Sequence, residues 1–191
     1  MIDHIYRTKL RHWDPTIRTL ASKALSGLAK MDFEYVRQSV IPYLLENSLD
    51  PRNVQLRHGA TIGLAEIIVT VGDLSTNRMP LDDLLPKATL LAIAELVPTI
   101  EKNRLYRGKG GEQMRAAVCR LIECISTAAL PLTVPQQVKY LCKTCVGLLG
   151  WPSILTRALF FSRYDFLTLS MLAYHTLPKR SKNKLVGRFI A

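Results

Sequence analysis

Residues 12–29 read HWDPTIRTLASKALSGLA, and the spacing inside this stretch decides the fold class. Ile17, Leu20, Ala21, Ala24, Leu25 and Leu28 fall at i, i+3, i+4, i+7, i+8 and i+11, one face of an α-helix rather than an alternating strand. The same offsets recur without a gap at Met114, Ala117, Val118, Leu121, Ile122 and Ile125. A third copy, placed on residue 56, gives Leu56, Gly59, Ala60, Gly63, Leu64 and Ile67. An arginine follows the first apolar position each time: Arg18, Arg57 and Arg115. The small residues in the stripe permit close approach of a neighbouring helix.

Two copies are preceded by Asp-Pro, at Asp14-Pro15 and Asp50-Pro51. Aspartate caps orphan amides, and proline fits a helix's first turn because its missing N–H has no partner there. Before each inner helix lies a segment suited to an outer one: about 2–12, about 32–48, and about Pro86 to Asn103. Pro42 falls inside the second, where a kink or break is expected. Gly72–Pro80 reads as a solvated connection, and Arg104–Gly111 (RLYRGKGG) as another, with Gly108 stopping the helix before it. A further helix is expected over about 136–149. The expected architecture is all-α: a HEAT/armadillo-like α-solenoid of stacked antiparallel helix pairs, curving right-handedly with one helix of each pair on the concave side.

The chain has 191 residues, 48% hydrophobic and 21% charged, a balance that excludes a disordered polypeptide. Its net charge of +11 is unevenly spread. Residues 1–141 carry 18 basic and 14 acidic side chains, whereas residues 142–191 carry 8 and 1. Such a surface favours acidic partners, and the tail residues Lys179, Arg180, Lys182, Lys184 and Arg188 extend it. Charged residues from Asp3 to Arg11 break any secretory signal, and no uncharged run reaches the length of a membrane span. Four cysteines and no visible signal point to a reducing compartment.

Cys119, Cys124, Cys142 and Cys145 loosely imitate a four-thiolate zinc site. On a helix, however, residues five apart point about 140° away from each other, so the cysteines read as small core hydrophobes. Gly108-Lys109-Gly110-Gly111 lacks the Gly-Lys-Ser/Thr ending and preceding strand of a phosphate loop. His4, His12, His58 and His175 show no ligand spacing and read as surface or packing residues. Nothing assembles a nucleophile with its base. Glu66 and Glu123 read as the solvated edge of the stripe, and the three repeat arginines as bridges to a neighbouring repeat's aspartate. No catalytic, cofactor or metal site is expected. The candidate partner-binding residues are Arg104, Tyr106, Arg107 and Lys109, because arginine and tyrosine are favoured interface anchors.

Three segments, HWDPTIRTLASKALSGLA (12–29), VQLRHGATIGLAEI (54–67) and NRLYRGKGGEQMRAAVCRLIE (103–123), resemble the C-terminal half of the tubulin-folding cofactor D family. The resemblance covers about residues 1–141 and departs from Cys142 onward. The expected organisation is therefore HEAT-like repeats over 1–141, additional helices over 142–177 and a basic, disordered tail over 178–191. The resemblance implies a fragment of a cytoplasmic, microtubule-associated chaperone scaffold that binds β-tubulin and supports αβ-heterodimer assembly. It further implies tubulin-folding cofactors C and E and an ADP-ribosylation-factor-like small GTPase as partners. GTPase activation would act through tubulin's own nucleotide site. A basic repeat protein that binds nucleic acid is the less favoured alternative.

Overall fold

The inner helices begin where short polar side chains can receive their first amides. In the computed structural model, which describes residues 1–130 apart from 78, 109 and 129, the Asp14 carboxylate accepts from the Thr16 amide at 2.8 Å. Helix α2 then runs Pro15–Ala29. It is preceded by α1 (Ile2–Arg7) and a 3-10 turn (Lys9–Arg11), which together form the first outer segment. Asp50 caps the turn rather than the next helix, accepting from the amides of Arg52 and Asn53 at 2.7 and 2.9 Å. Asn53 then takes over, its side chain accepting from Leu56 at 2.9 Å at the start of α5, Val54–Asn77.

The second outer segment comprises α3 (Phe33–Tyr35), a π turn (Val36–Val40) and α4 (Ile41–Asn47). The break expected at Pro42 takes this form. Proline offers no N–H to the carbonyl four residues back and its ring crowds that carbonyl, so the helix widens just before it. Short α6 (Leu81–Leu84) and α7 (Lys87–Lys102) make the third outer segment, and α8 (Gly111–Thr127) is the third inner helix. Pro98 lies inside α7, a position the periodicity does not single out. Among the described residues there is no strand.

Helix α5 is the centre, with α2 and α8 both packed along it. It is apolar nearly all round, as a helix with neighbours on more than one side must be. Leu64, Ile67, Ile68 and Val71 are fully buried, and each such side chain contributes about 1.5–3 kcal/mol of transfer free energy. Gly59 has a packing reason: a Cβ there would stand 1.7 Å from the Leu10 carbonyl oxygen. By length and mean hydropathy Val54–Thr76 could cross a membrane, but its apolar character is that of a core helix, 61% buried within the fold.

The solvated connection expected at Gly72–Pro80 is corrected, because α5 continues to Asn77. Gly72 does not end the helix. It lets α5 approach Ala128, whose Cβ would lie 2.8 Å from a Cβ on residue 72. Asp73 meets Lys30 at 2.8 Å. The described residues belong to one compact unit, Met1–Pro131. The boundaries expected at 141/142 and 177/178, and the helix expected over 136–149, lie outside the described residues.

Candidate functional site

The segment after α7 is shaped by a helix stop that uses an arginine. The Leu105 amide donates to the Ile100 carbonyl at 3.0 Å and the Arg104 amide to Glu101 at 2.9 Å. This is the paired bonding of a Schellman motif, with Arg104 at the left-handed position, φ 54°. The helix therefore stops at Asn103–Arg104, the end expected for the third outer segment, and the stop is made by Arg104 rather than by Gly108. Gly108 (φ 79°) and Gly110 (φ 80°) lie inside the turn, where left-handed backbone suits glycine. Leu105 is buried and anchors the turn as such a motif's apolar residue does.

Two repeat arginines hold this turn from beneath. Arg57 donates from one terminal nitrogen to the Asp50 carbonyl and from the other to the Leu105 carbonyl at 2.8 Å. Arg115 reaches the Tyr106 carbonyl at 3.4 Å. A Cβ on Gly111 would stand 2.2 Å from that same oxygen, so the turn folds tightly over the start of α8. Arg104 and Arg107 point outward, exposed, and Tyr106 is half-buried. No carboxylate pairs with Arg104 or Arg107 among the described residues. The structure thus places three of the four candidate residues on one held turn; Lys109 lies outside the described residues.

Arg18 shows the same device on the preceding inner helix, α2. Only 1% exposed, it donates to the His12 and Trp13 carbonyls at 2.6 and 2.9 Å. It also donates to His58 Nδ1 at 3.0 Å and to Gln113 Oε1 at 2.9 Å. One guanidinium therefore joins α2, α5 and α8. The aspartate bridges expected for the repeat arginines are corrected: Arg18, Arg57 and Arg115 bind turn carbonyls. Such carbonyls have no partner within a helix, and a fork of donors satisfies several of them. Burial, and then the Arg18 charge, push His58 down to about 4, so it is neutral near pH 7 and serves as an acceptor. It is a packing residue, as expected.

Glu66 is not a free solvated edge. Arg120 donates to it at 2.8 Å and to Glu123 at 3.0 Å, bridging α5 and α8. Arg120, Gln113 and Asn53 carry no signal in the repeat pattern, and only their partners' positions make them legible. Cys119 and Cys124 are buried, and burial pushes the Cys124 thiol up to about 12, far from a reactive thiolate. Among the described residues no His, Cys, Asp or Glu side chains gather as metal ligands would. Cys142, Cys145 and His175 lie outside them.

The turn is thus basic, outward-facing and held from beneath on an all-helical framework. The chain is similar to tubulin-specific chaperone D. The Dictyostelium discoideum protein of that description is 28% identical over 125 residues, 65% of this chain. The chain spans 8% of that relative's length. No protein-family profile matches the chain, and no solved structure matches it.

Proposed function

We propose that this chain is a segment of a tubulin-folding cofactor, a HEAT-like helical scaffold that binds β-tubulin through the turn at Arg104, Tyr106, Arg107 and Lys109. The similarity to tubulin-specific chaperone D carries the reading. The turn supports it: two exposed arginines that pair with no carboxylate among the described residues sit on a backbone fixed by Arg57 and Arg115. Preorganisation of this kind lowers the ordering cost of binding.

In this reading the segment recognises an acidic surface by shape and charge and performs no chemistry of its own. Tubulin-folding cofactors C and E and an ADP-ribosylation-factor-like small GTPase bind the larger assembly. Heterodimer release and GTP hydrolysis proceed at tubulin's own nucleotide site. The setting is the cytoplasm, in association with microtubules. Residues 1–141 act as the repeats, 142–177 as additional helices and 178–191 as a basic tail.

The test is a pull-down of purified tubulin by the full chain, set beside an electrophoretic shift assay with duplex and single-stranded nucleic acid. Capture of β-tubulin without a nucleic-acid shift is the expected result. A strong, salt-sensitive shift without tubulin capture would replace the proposal with the nucleic-acid reading motivated by the +11 charge.

A further inference from the structure

Arg57 holds two turns at once, and the second of them bears an exposed arginine of its own. Its guanidinium donates to the Asp50 carbonyl and to the Leu105 carbonyl, so the turn before α5 lies beside the turn before α8, within the span of one side chain. Gly110 closes the same join, because a Cβ there would stand 2.7 Å from Val54 Cγ1. The turn before α5 is built as firmly as its neighbour. Asp50 accepts from the Arg52 and Asn53 amides at 2.7 and 2.9 Å. Those bonds fix the backbone at Arg52 and leave its side chain exposed. Arg52, like Arg104 and Arg107, pairs with no carboxylate among the described residues. Over 50–55 and 102–111 the sequence carries five basic side chains, Arg52, Lys102, Arg104, Arg107 and Lys109. It carries one acidic side chain there, Asp50, which is occupied by amides.

We propose that Arg52 belongs to the partner-binding surface, and that the two turns together take one extended acidic segment of a protein partner. Its carboxylates lie across Arg52 on one turn and Arg104 and Arg107 on the other. This rests on the reading above, that the turn at 104–111 binds a protein, and names the kind of segment it binds. Arginine's planar fork receives a carboxylate through two parallel hydrogen bonds. Alternate side chains of an extended chain share one face, so one segment can set successive carboxylates along a row of arginines. Both turns sit at helix ends, whereas further helix pairs pack on helix sides, so a longer array extends this edge rather than covering it. The rest of this chain is no match for the surface: residues 142–191 carry 8 basic side chains and 1 acidic, and like charges oppose the contact. A nucleic acid would meet the same cations, but Tyr106, the one ring on these turns, is half-buried rather than presented for stacking on a base.

Charge reversal on each turn of the full chain tests the proposal, read by capture of purified tubulin and by fluorescence anisotropy of a labelled oligoglutamate peptide. Arg52→Glu and Arg107→Glu are each expected to weaken both about fivefold or more, and the peptide to compete with tubulin. Lys23→Glu, an exposed change of equal charge within α2, is expected to alter either by less than about twofold. Arg52 gives its amide to the turn, so its side chain can be replaced with far-UV circular dichroism unchanged. If Arg107→Glu weakens tubulin capture while Arg52→Glu behaves as Lys23→Glu, the two-turn surface is overturned and the single-turn reading stands. If neither reversal weakens capture, that reading fails and this proposal with it. A peptide that does not compete, or tighter binding of a DNA oligonucleotide of equal charge, overturns the acidic segment as the occupant.

Discussion

The Arg57 guanidinium reaches the Leu105 carbonyl at 2.8 Å across 48 residues of sequence. That one bond couples the second inner helix to the turn carrying Arg104 and Arg107. Arg57 is 4% exposed, so Arg57→Met leaves the Leu105 oxygen buried without its donor. The cost of one such orphaned group is about 1–3 kcal/mol. Urea titration is expected to show that loss, and hydrogen exchange is expected to quicken over residues 104–111 more than over α2. Uniform quickening throughout would show that Arg57 is not specific to the turn.

Gly59 gives a purely steric prediction. Its missing Cβ is the space occupied by the Leu10 carbonyl, a backbone atom that no rotamer change can move. Gly59→Ala is expected to cost about 1–3 kcal/mol, despite alanine's better helix propensity. Gly27→Ala, on the open side of α2, is the control, expected to leave the fold unharmed or slightly stabilised. Thermal melts of the two variants should move in different directions.

His58 makes stability depend on pH. Its folded value near 4 lies below the unfolded value of 6.5, so between the two the unfolded chain binds more protons. Stability is therefore fully present above about pH 6.5 and falls as pH drops toward 4. The loss from this group alone is about 3 kcal/mol at most. His58→Asn, which keeps an acceptor for Arg18 and does not titrate, should flatten that part of the profile in denaturant titrations. An unchanged slope would show that other groups set it.

Arg104 occupies a backbone conformation that favours glycine. Arg104→Gly should raise stability by up to about 1 kcal/mol. The same change should weaken tubulin capture, separating stability from function. Loss of stability would show that the side chain has a structural role.

The stripes at 17–28, 56–67 and 114–125 made the inner helices legible, because periodicity records a face that must be buried. They did not say how much of that face finds a neighbour. Leu20 and Leu64 read alike in sequence, yet one is exposed and the other fully buried. Gly72 was misread because glycine ends helices and also permits close crossings, and only the position of Ala128 separates the two. The partners of Arg18 were beyond reach for a different reason: carbonyls bear no residue type, so a pattern of side chains cannot announce them. The turn at 104–111 stands out in the sequence by its charge and glycines, and the end of the helix before it near Asn103 was legible too, whereas the left-handed Arg104 depends on backbone bonds that no local signal requires.

Binding of the full chain to purified tubulin, followed as a function of salt for the native sequence and for Arg104→Gly/Arg107→Ala, tests the central claim most directly. The account predicts affinity that falls as screening increases, and a double variant that binds about tenfold or more weakly with a shallower salt dependence. Equal affinity and equal salt dependence for a folded double variant would contradict it.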